Sequence, residues 1–204
     1  MYFDIGANIG NWSLSNVNNC DKIIAIEASP NTFNKLLNNT NNEPKILCLN
    51  YAVCNTDEEY IEFYDANTDT ISTLNKDWLI SEKSRFFNLT NYNIIRCKTI
   101  KIDNLIKLYG VPELVKIDVE GGEFFCLSSL TQKVNNLCFE WASETNDITI
   151  NCLDYLESLG YKEFAIQFQD NYIYRPEIYE NLNNIKTILN NTTPKNEWGM
   201  IWAK

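Results

Sequence analysis

The sequence contains no histidine among its 204 residues, and its 17 lysine and arginine residues are outnumbered by 27 aspartate and glutamate residues. The absence of histidine excludes Ser-His-Asp and Cys-His hydrolases, as well as metal sites with histidine ligands. Any general base must therefore be a carboxylate, a lysine, a tyrosine or a cysteine. The net charge of -10 argues against broad binding of nucleic acids, since that affinity depends on cations that neutralise phosphates.

The sequence also shows little of the patterns that mark membrane spans and secretory leaders. No apolar run approaches the roughly 18 residues of a membrane span, and the first residues do not show the pattern of a signal peptide. We therefore expect a cytoplasmic protein that does not enter a membrane. With 204 residues, of which 45% are hydrophobic, the chain is expected to fold as a single domain over residues 1–204.

The seven cysteines are scattered and include no CxxC pair. An odd, unclustered set in apolar surroundings favours free buried thiols over a disulfide framework or a zinc site.

The first ten residues, MYFDIGANIG, show the pattern of a short strand that leads into a glycine turn and then into a helix from about Asn11. Gly6 and Gly10 allow positive φ angles, and Asn8 tolerates them better than most residues do. The helix N-terminus favours an anionic ligand group, and Asp4 offers an acceptor for a cationic one. A ligand with both groups is an amino acid, so this loop suits the methionine end of S-adenosylmethionine.

A carboxylate at the end of the next strand supports the same ligand. Glu27 follows the apolar run of residues 22–26, about 20 residues beyond the glycine loop, where a carboxylate meets ribose hydroxyls. Ala52 follows the third predicted strand, residues 45–49, at a position where ligand-contacting loops lie. The dinucleotide fingerprint GxGxxG is absent because Asn8 occupies the place of its middle glycine.

Strands and helices alternate along the chain, which predicts a mainly parallel sheet with helices on both faces. Ser29 is predicted to cap a helix that begins at Pro30, and Asp103 to cap another. The polar connection of residues 65–93 is long enough to suggest a lid over the substrate. Further strands are predicted at residues 59–64, 94–102, 114–117, 137–139, 161–168 and 199–203.

The stretch VKIDVEGGEF brings Asp118, Glu120 and Glu123 close to one strand end, which in open α/β sheets borders the ligand crevice. These three are the candidate catalytic carboxylates, and Asp118 is also a candidate for cofactor binding. Glu123 could instead serve only to stabilise a helix N-terminus. Lys116 lies in the same strand and, if it is buried, requires a carboxylate partner such as Asp118, Glu140 or Asp4. No metal is predicted, although oxygen ligands of this kind could hold a divalent cation.

Four segments together resemble the FkbM-type S-adenosylmethionine-dependent methyltransferases: DIGANIG (4–10), IEASP (26–30), IKIDNL (100–105) and VKIDVEGGE (115–123). The resemblance implies an α/β class I methyltransferase fold, Rossmann-like and three-layered, with a mainly parallel seven-stranded sheet and an antiparallel last strand. It also implies S-adenosyl-L-methionine as cofactor and methyl transfer to oxygen. The chain departs from the family pattern by starting almost on the first strand and by diverging after Trp141.

The favoured hypothesis is an O-methyltransferase that acts on a hydroxyl of a small molecule, such as a sugar or glycan. A sugar nucleotide would need local cations, which Lys76, Lys83 and Arg85 of the long connection could supply. Two alternatives stay open: a non-catalytic protein that retained the fold and, with less support, a dinucleotide-dependent oxidoreductase.

Overall fold

The computed structural model describes residues 1–66, 71–87, 91–169, 171–193 and 197–204. Its strands are β1 (Tyr2–Ile5), β2 (Ile23–Glu27), β3 (Ile46–Asn50), β4 (Ala52–Val53), β5 (Tyr60–Ala66), β6 (Tyr92–Ile100), β7 (Leu114–Ile117), β8 (Asn136–Ala142), β9 (Phe164–Phe168) and β10 (Trp198–Ala203). Its helices are α1 (Asn11–Asn16), α2 (Pro30–Thr40), α3 (Lys76–Ile80), α4 (Ile102–Tyr109), α5 (Glu123–Leu127), α6 (Asn146–Ser158) and α7 (Leu182–Asn190).

Seven strands form the main sheet in the order β3-β2-β1-β7-β8-β10-β9. The pairs from β3 to β8 are parallel, whereas β10 runs antiparallel to both β8 and β9. The predicted seven-stranded sheet with an antiparallel last strand is therefore confirmed. Strands β1 and β7 are buried along their whole length, as expected for central parallel strands that are covered on both faces.

Strand alternation divides the core into two layers. Phe3 and Ile5 of β1 face one cluster, which also includes apolar side chains of α4, α5, α6 and α7. Tyr2 faces the opposite cluster, to which Trp12 of α1 and Leu36 of α2 belong. Because successive strand residues point to opposite faces, the apolar runs of this sheet can fill both clusters at once. Helices therefore cover both faces, as the sequence predicts.

A second sheet contains the strands β4, β6 and β5 in that order. Strand β5 pairs antiparallel with β6, and the short β4 pairs parallel with β6. The sequence predicts β5 and β6 as strands but does not separate them from the main sheet. Residue alternation identifies the buried face of a strand and says nothing about which strand lies beside it.

The prediction that Asp103 caps a helix is wrong. Helix α4 begins at Ile102, after Lys101. The Ile102 N–H donates instead to Ser129 Oγ at 2.9 Å, and the Asp103 carboxylate accepts hydrogen bonds from Thr131. A residue distant in sequence thus performs the capping role, which local pattern cannot reveal. The predicted cap at Ser29 is confirmed, since its side chain accepts from the Thr32 N–H.

Within the residues that the structure describes, no helix combines the length and the apolar character required to cross a bilayer. The longest of these helices, α6, has 13 residues.

Candidate functional site

A cavity of about 500 Å³ lies at the carboxyl ends of the central strands. Its lining includes Gly6 after β1, Glu27 at the end of β2, Asp118 after β7 and Glu140 near the end of β8. Parallel strands end at one edge of the sheet, so residues far apart in sequence meet there. The volume falls within the range of small-molecule sites, and the crevice is where the sequence analysis expected a ligand.

The glycine loop after β1 has the predicted backbone. Gly6, Asn8 and Gly10 have φ angles of 74°, 51° and 95°. A Cβ on Gly6 would lie 1.7 Å from the Asp118 carbonyl oxygen, so this position excludes any side chain. A Cβ on Gly10 would instead approach Leu36 of α2, at 2.9 Å. Gly6 therefore joins the loop to the acidic segment after β7, whereas Gly10 allows α1 to approach α2.

Glu27 connects the loop to the end of β2. Its Oε2 accepts the Asn8 N–H at 2.9 Å, and its Oε1 accepts the Ser29 N–H at 2.9 Å. Burial raises the pKa of Glu27 to about 7, although these backbone donors oppose the increase. Each carboxylate oxygen has a further lone pair, so Glu27 can accept hydroxyl groups of a ligand in the cavity. Ala52 also lines the cavity, at the start of β4.

Lys116 is paired as the sequence analysis required. Its Nζ lies 3.1 Å from Asp4 Oδ1, 3.3 Å from Asp118 Oδ2 and 3.0 Å from the Gly6 carbonyl oxygen. Burial alone would lower the pKa of Lys116, but the Asp118 and Asp4 carboxylates raise it well above its usual range. Asp4 is itself fully buried and also accepts from Ser13 Oγ at 2.7 Å. Its contact with the cavity therefore passes through Lys116, which lines it.

Three carboxylates meet inside the cavity. Oxygen atoms of Asp118, Glu120 and Glu140 all lie within 4.8 Å of one another. Burial raises the pKa of Glu120 and of Glu140 well above the usual range, and the neighbouring carboxylates add to the increase. Glu120 also has a φ of 54°, a strained value that is often found at functional sites. Among the described residues, this cluster is the one that could hold a divalent cation.

Glu140 is a site residue that the sequence pattern predicts only as a possible partner for Lys116. The available signal was its position directly after the predicted strand of residues 137–139, on the same edge of the sheet as Asp118. Its contact with the other two carboxylates depends on β8 lying beside β7, which the structure establishes.

Glu123 lies beneath the acidic loop, at the start of α5. Its Oε1 accepts the N–H groups of Val119 and Gly121, both at 3.2 Å, and the residue is 4% exposed. Burial raises the pKa of Glu123 to about 7. These bonds hold the backbone that carries Glu120, so the geometry makes Glu123 a positioning residue. Its predicted catalytic role stays a prediction.

Part of the predicted lid covers the acidic loop. Asn75 Nδ2 donates to the Gly121 carbonyl oxygen at 2.9 Å, and the Trp78 ring packs against Gly121. The predicted lid spans residues 65–93, of which residues 67–70 and 88–90 lie outside the described ranges.

The cations of this segment differ in their surroundings. Arg85 forms a two-pronged ion pair with Glu144, in which Nη2 lies 2.8 Å from Oε2. Lys76 and Lys83 are exposed. Arg85 lines the cavity, but its guanidinium is already bound to a carboxylate.

Comparison with known proteins identifies a family to which the chain is similar. The family model described as "Methyltransferase FkbM domain" matches residues 4–163. A search of curated proteins found no match. Among solved structures, the precorrin-6y C5,15-methyltransferase from Geobacter metallireducens is similar, with a TM-score of 0.54 and 13% identity over 100% of this chain and 78% of that chain.

A precorrin 8w decarboxylase from Methanobacterium thermoautotrophicum has a TM-score of 0.49 and 10% identity over 100% of this chain and 80% of that chain. At 13% identity, the likeness to the precorrin-6y methyltransferase shows the fold alone, which is that of class I methyltransferases. The family match is stronger evidence than the structural likeness, because it spans most of the chain and includes the glycine loop, Glu27 and the acidic loop. The chain therefore belongs to the FkbM methyltransferase family and is an S-adenosylmethionine-dependent methyltransferase.

Proposed function

We propose that this methyltransferase transfers a methyl group to a hydroxyl oxygen of a small molecule, and that the acceptor is a sugar or a neutral glycan. The observation that carries the proposal is the cluster of Asp118, Glu120 and Glu140 in the same cavity as Glu27 and the glycine loop. One cavity thus combines a surface for the cofactor with carboxylates that can accept hydroxyl protons.

The cavity has features that fit S-adenosylmethionine. Glu27 offers acceptor positions to the ribose hydroxyls, and Ala52 is small enough to border a flat adenine ring. Gly6 allows the glycine loop to lie directly against the Asp118 carbonyl, so the glycine loop and the acidic loop border the same cavity. S-adenosylmethionine supplies an electrophilic methyl group, so the residues of the chain must align the acceptor and take its proton.

The acidic cluster supplies the best-placed candidates for the base, because its three carboxylates meet inside the cavity. The chain has no histidine, and Lys116 is held in its protonated form by two carboxylates. Asp118 Oδ2 lies 3.3 Å from Lys116 Nζ, whereas burial and the neighbouring carboxylates raise the pKa of Glu120 well above its usual range, which makes its carboxylate a stronger proton acceptor. We assign the acceptance of the hydroxyl proton to Asp118 or Glu120, with Glu140 adjacent to both.

The walls of the cavity favour a neutral hydroxylated acceptor. Phe63, Trp78, Phe86 and Trp198 contribute aromatic surface beside the carboxylates. Such a surface accommodates the apolar face of a sugar ring, while carboxylates accept its hydroxyl groups. The acidic cluster would repel phosphates, and Arg85 is bound to Glu144. A free sugar or glycan therefore fits better than a sugar nucleotide.

A substrate screen tests the proposal. Free sugars, nucleotide sugars, short RNA and peptides would be incubated with S-adenosylmethionine, and the S-adenosylhomocysteine formed would be measured. We expect turnover with free sugars or glycans. Turnover with RNA or peptides alone would refute O-methylation of a glycan. Calorimetric titration with S-adenosylmethionine and with NAD distinguishes the alternatives, because a non-catalytic protein that lost the site would bind neither.

A further inference from the structure

Trp78 of α3 presents a buried polar group without a partner. The residue is 4% exposed, and its indole Nε1 has no hydrogen bond of normal geometry within the described ranges. The ring lines the cavity, and the indole N–H is close enough to Glu120 to lower the pKa of that carboxyl. A buried donor without a partner is unfavourable, so a native structure that retains one needs an explanation.

The surroundings of Trp78 hold its ring in place. Phe86 packs edge-on, with ring centroids 5.4 Å apart, and Gly121 lies directly beneath, where a Cβ would approach the ring to 3.1 Å. Ser84 Oγ donates to the Trp78 carbonyl oxygen. Asn75 Nδ2 ties the start of α3 to the Gly121 carbonyl. The indole is therefore fixed by packing, and a rotation of the ring toward another partner is blocked.

The carboxylates near the indole have the complementary need for donors. Asp118 is paired with Lys116, whereas the Glu140 side chain has neither a hydrogen bond nor an ion pair with any residue in the described part of the chain. Its oxygen lies within 4.8 Å of the nearest oxygens of Asp118 and Glu120. One region of the cavity thus offers a donor at Trp78 and vacant acceptors at Glu140.

A hydroxyl group satisfies both requirements, because it accepts one hydrogen bond and donates another. An ammonium group has no lone pair to accept from the indole, and a phosphate would meet three carboxylates. We infer that the Trp78 N–H donates to a hydroxyl of the acceptor while Glu140 accepts from an adjacent hydroxyl, so that the site selects molecules with two neighbouring hydroxyl groups. This inference rests on the proposed function and specifies the acceptor of the same site.

The test uses trans-cyclohexane-1,2-diol and cyclohexanol as probes, which share a ring and differ in one hydroxyl. Their binding to the protein saturated with S-adenosylhomocysteine would be measured by NMR titration. We expect the diol to bind about tenfold more tightly than cyclohexanol, the effect of one hydrogen bond of about 1.4 kcal/mol. Trp78→Phe should weaken the binding of both probes about tenfold. Glu140→Leu should abolish the preference for the diol.

Trp202→Phe is the matched control. Trp202 lies on β10, away from the cavity, and its Nε1 donates to Gln167 Oε1 at 3.1 Å. This variant removes an indole N–H of the same kind and should leave the binding of both probes unchanged. If Trp78→Phe does not fold, the indole N–H resonances of the unmodified protein carry the test. The chain has five tryptophans, and the diol should shift one signal that single Trp→Phe variants at positions 12, 141, 198 and 202 all retain.

Several outcomes would overturn the inference: equal binding of the two probes, no binding of either, or unchanged binding in Trp78→Phe. The proposed function fails in a different way, since binding is measured without methyl transfer. A protein that binds the diol through Trp78 but forms S-adenosylhomocysteine only with amines would refute O-methylation and leave the binding site established.

Discussion

At the scale of single residues, Glu27 is expected to determine the affinity for the cofactor. Glu27→Ala should weaken S-adenosylmethionine binding by ~1.5–3 kcal/mol for each charge-assisted hydrogen bond to the ribose. Calorimetric titration measures this change. Glu58→Ala removes an exposed carboxylate elsewhere and serves as control. An unchanged affinity in Glu27→Ala would show that the ribose assignment is wrong.

Glu27 also accepts the N–H groups of Asn8 and Ser29, so its removal can disturb the loop as well as the ligand contact. Glu27→Gln retains a side chain of the same length and one acceptor oxygen. A smaller loss of affinity in Glu27→Gln than in Glu27→Ala is therefore expected, with thermal melts to confirm that both variants are folded.

A second prediction concerns Gly6, where the strain of a positive φ angle can be separated from the steric overlap of an added Cβ. Gly6 and Gly160 both have positive φ angles, but a Cβ on Gly160 would meet no atom within 4 Å. Gly160→Ala should therefore cost about 1–2 kcal/mol of unfolding free energy, the strain of the left-handed backbone. Gly6→Ala should cost clearly more, because its Cβ would overlap the Asp118 carbonyl oxygen. Chemical denaturation compares the two, and equal losses would contradict the overlap.

The contact of Gly6 with Asp118 also shows what a substitution in the glycine loop would disturb first. From the sequence alone, a β-branched side chain at Gly6 is expected to strain the turn and to fill space that the ligand needs. The structure shows that the space is occupied by the backbone of the acidic loop, so a substitution there acts first on the contact between the two functional loops.

At the scale of elements, the ion pair between Arg85 and Glu144 joins the segment of residues 71–87 to the turn that precedes α6. Arg85→Ala should loosen this segment, because it would remove the ion pair that ties the segment to Glu144. We expect faster hydrogen exchange in α3 and a KM for the acceptor that rises about tenfold, with little change in the affinity for S-adenosylmethionine.

Lys83→Ala is the matched control for this prediction, since Lys83 belongs to the same segment and is exposed. It should leave both the exchange rates and the KM unchanged. An equal effect of Lys83→Ala would instead support the earlier expectation that both cations of the segment bind the acceptor.

At the scale of the whole molecule, the buried carboxylates determine how stability depends on pH. Burial raises the pKa of Glu27 and of Glu123 from 4.5 to about 7. Between these values the folded protein binds more protons than the unfolded chain, so unfolding free energy decreases as pH rises. The raised pKa of Lys116 affects the pH dependence of stability only above about pH 10.5, so it does not change the trend between pH 4.5 and 7. We expect the Tm to fall between pH 5 and pH 8.

Glu123→Gln should reduce this slope, because it removes one of the titrating groups. Glu157→Gln is the control, since Glu157 is exposed on α6. Calorimetric melts across the range measure the slope for each variant. A Tm that rises with pH between 5 and 8 would contradict the assignment of raised pKa values to the buried carboxylates.

The features that the sequence by itself determined are local ones. The apolar run of β2, the glycine turn after β1 and the cap at Ser29 depend on neighbouring residues, which pattern and backbone preference describe well. The placing of Glu27 and Asp118 on one edge was predictable as well, because parallel strands direct their carboxyl ends to the same side.

Tertiary structure alone decided which distant residues meet. Glu140 joins the acidic cluster because β8 lies beside β7, and Trp78 reaches that cluster because the segment after β5 folds over Gly121. Ser129, and not Asp103, accepts the hydrogen bond of the Ile102 N–H at the start of α4, because the packing of another segment brings Ser129 there. Periodicity reports which face of an element is buried, but contacts between elements depend on sheet order and packing. The acceptor side of this site is built mainly from such contacts.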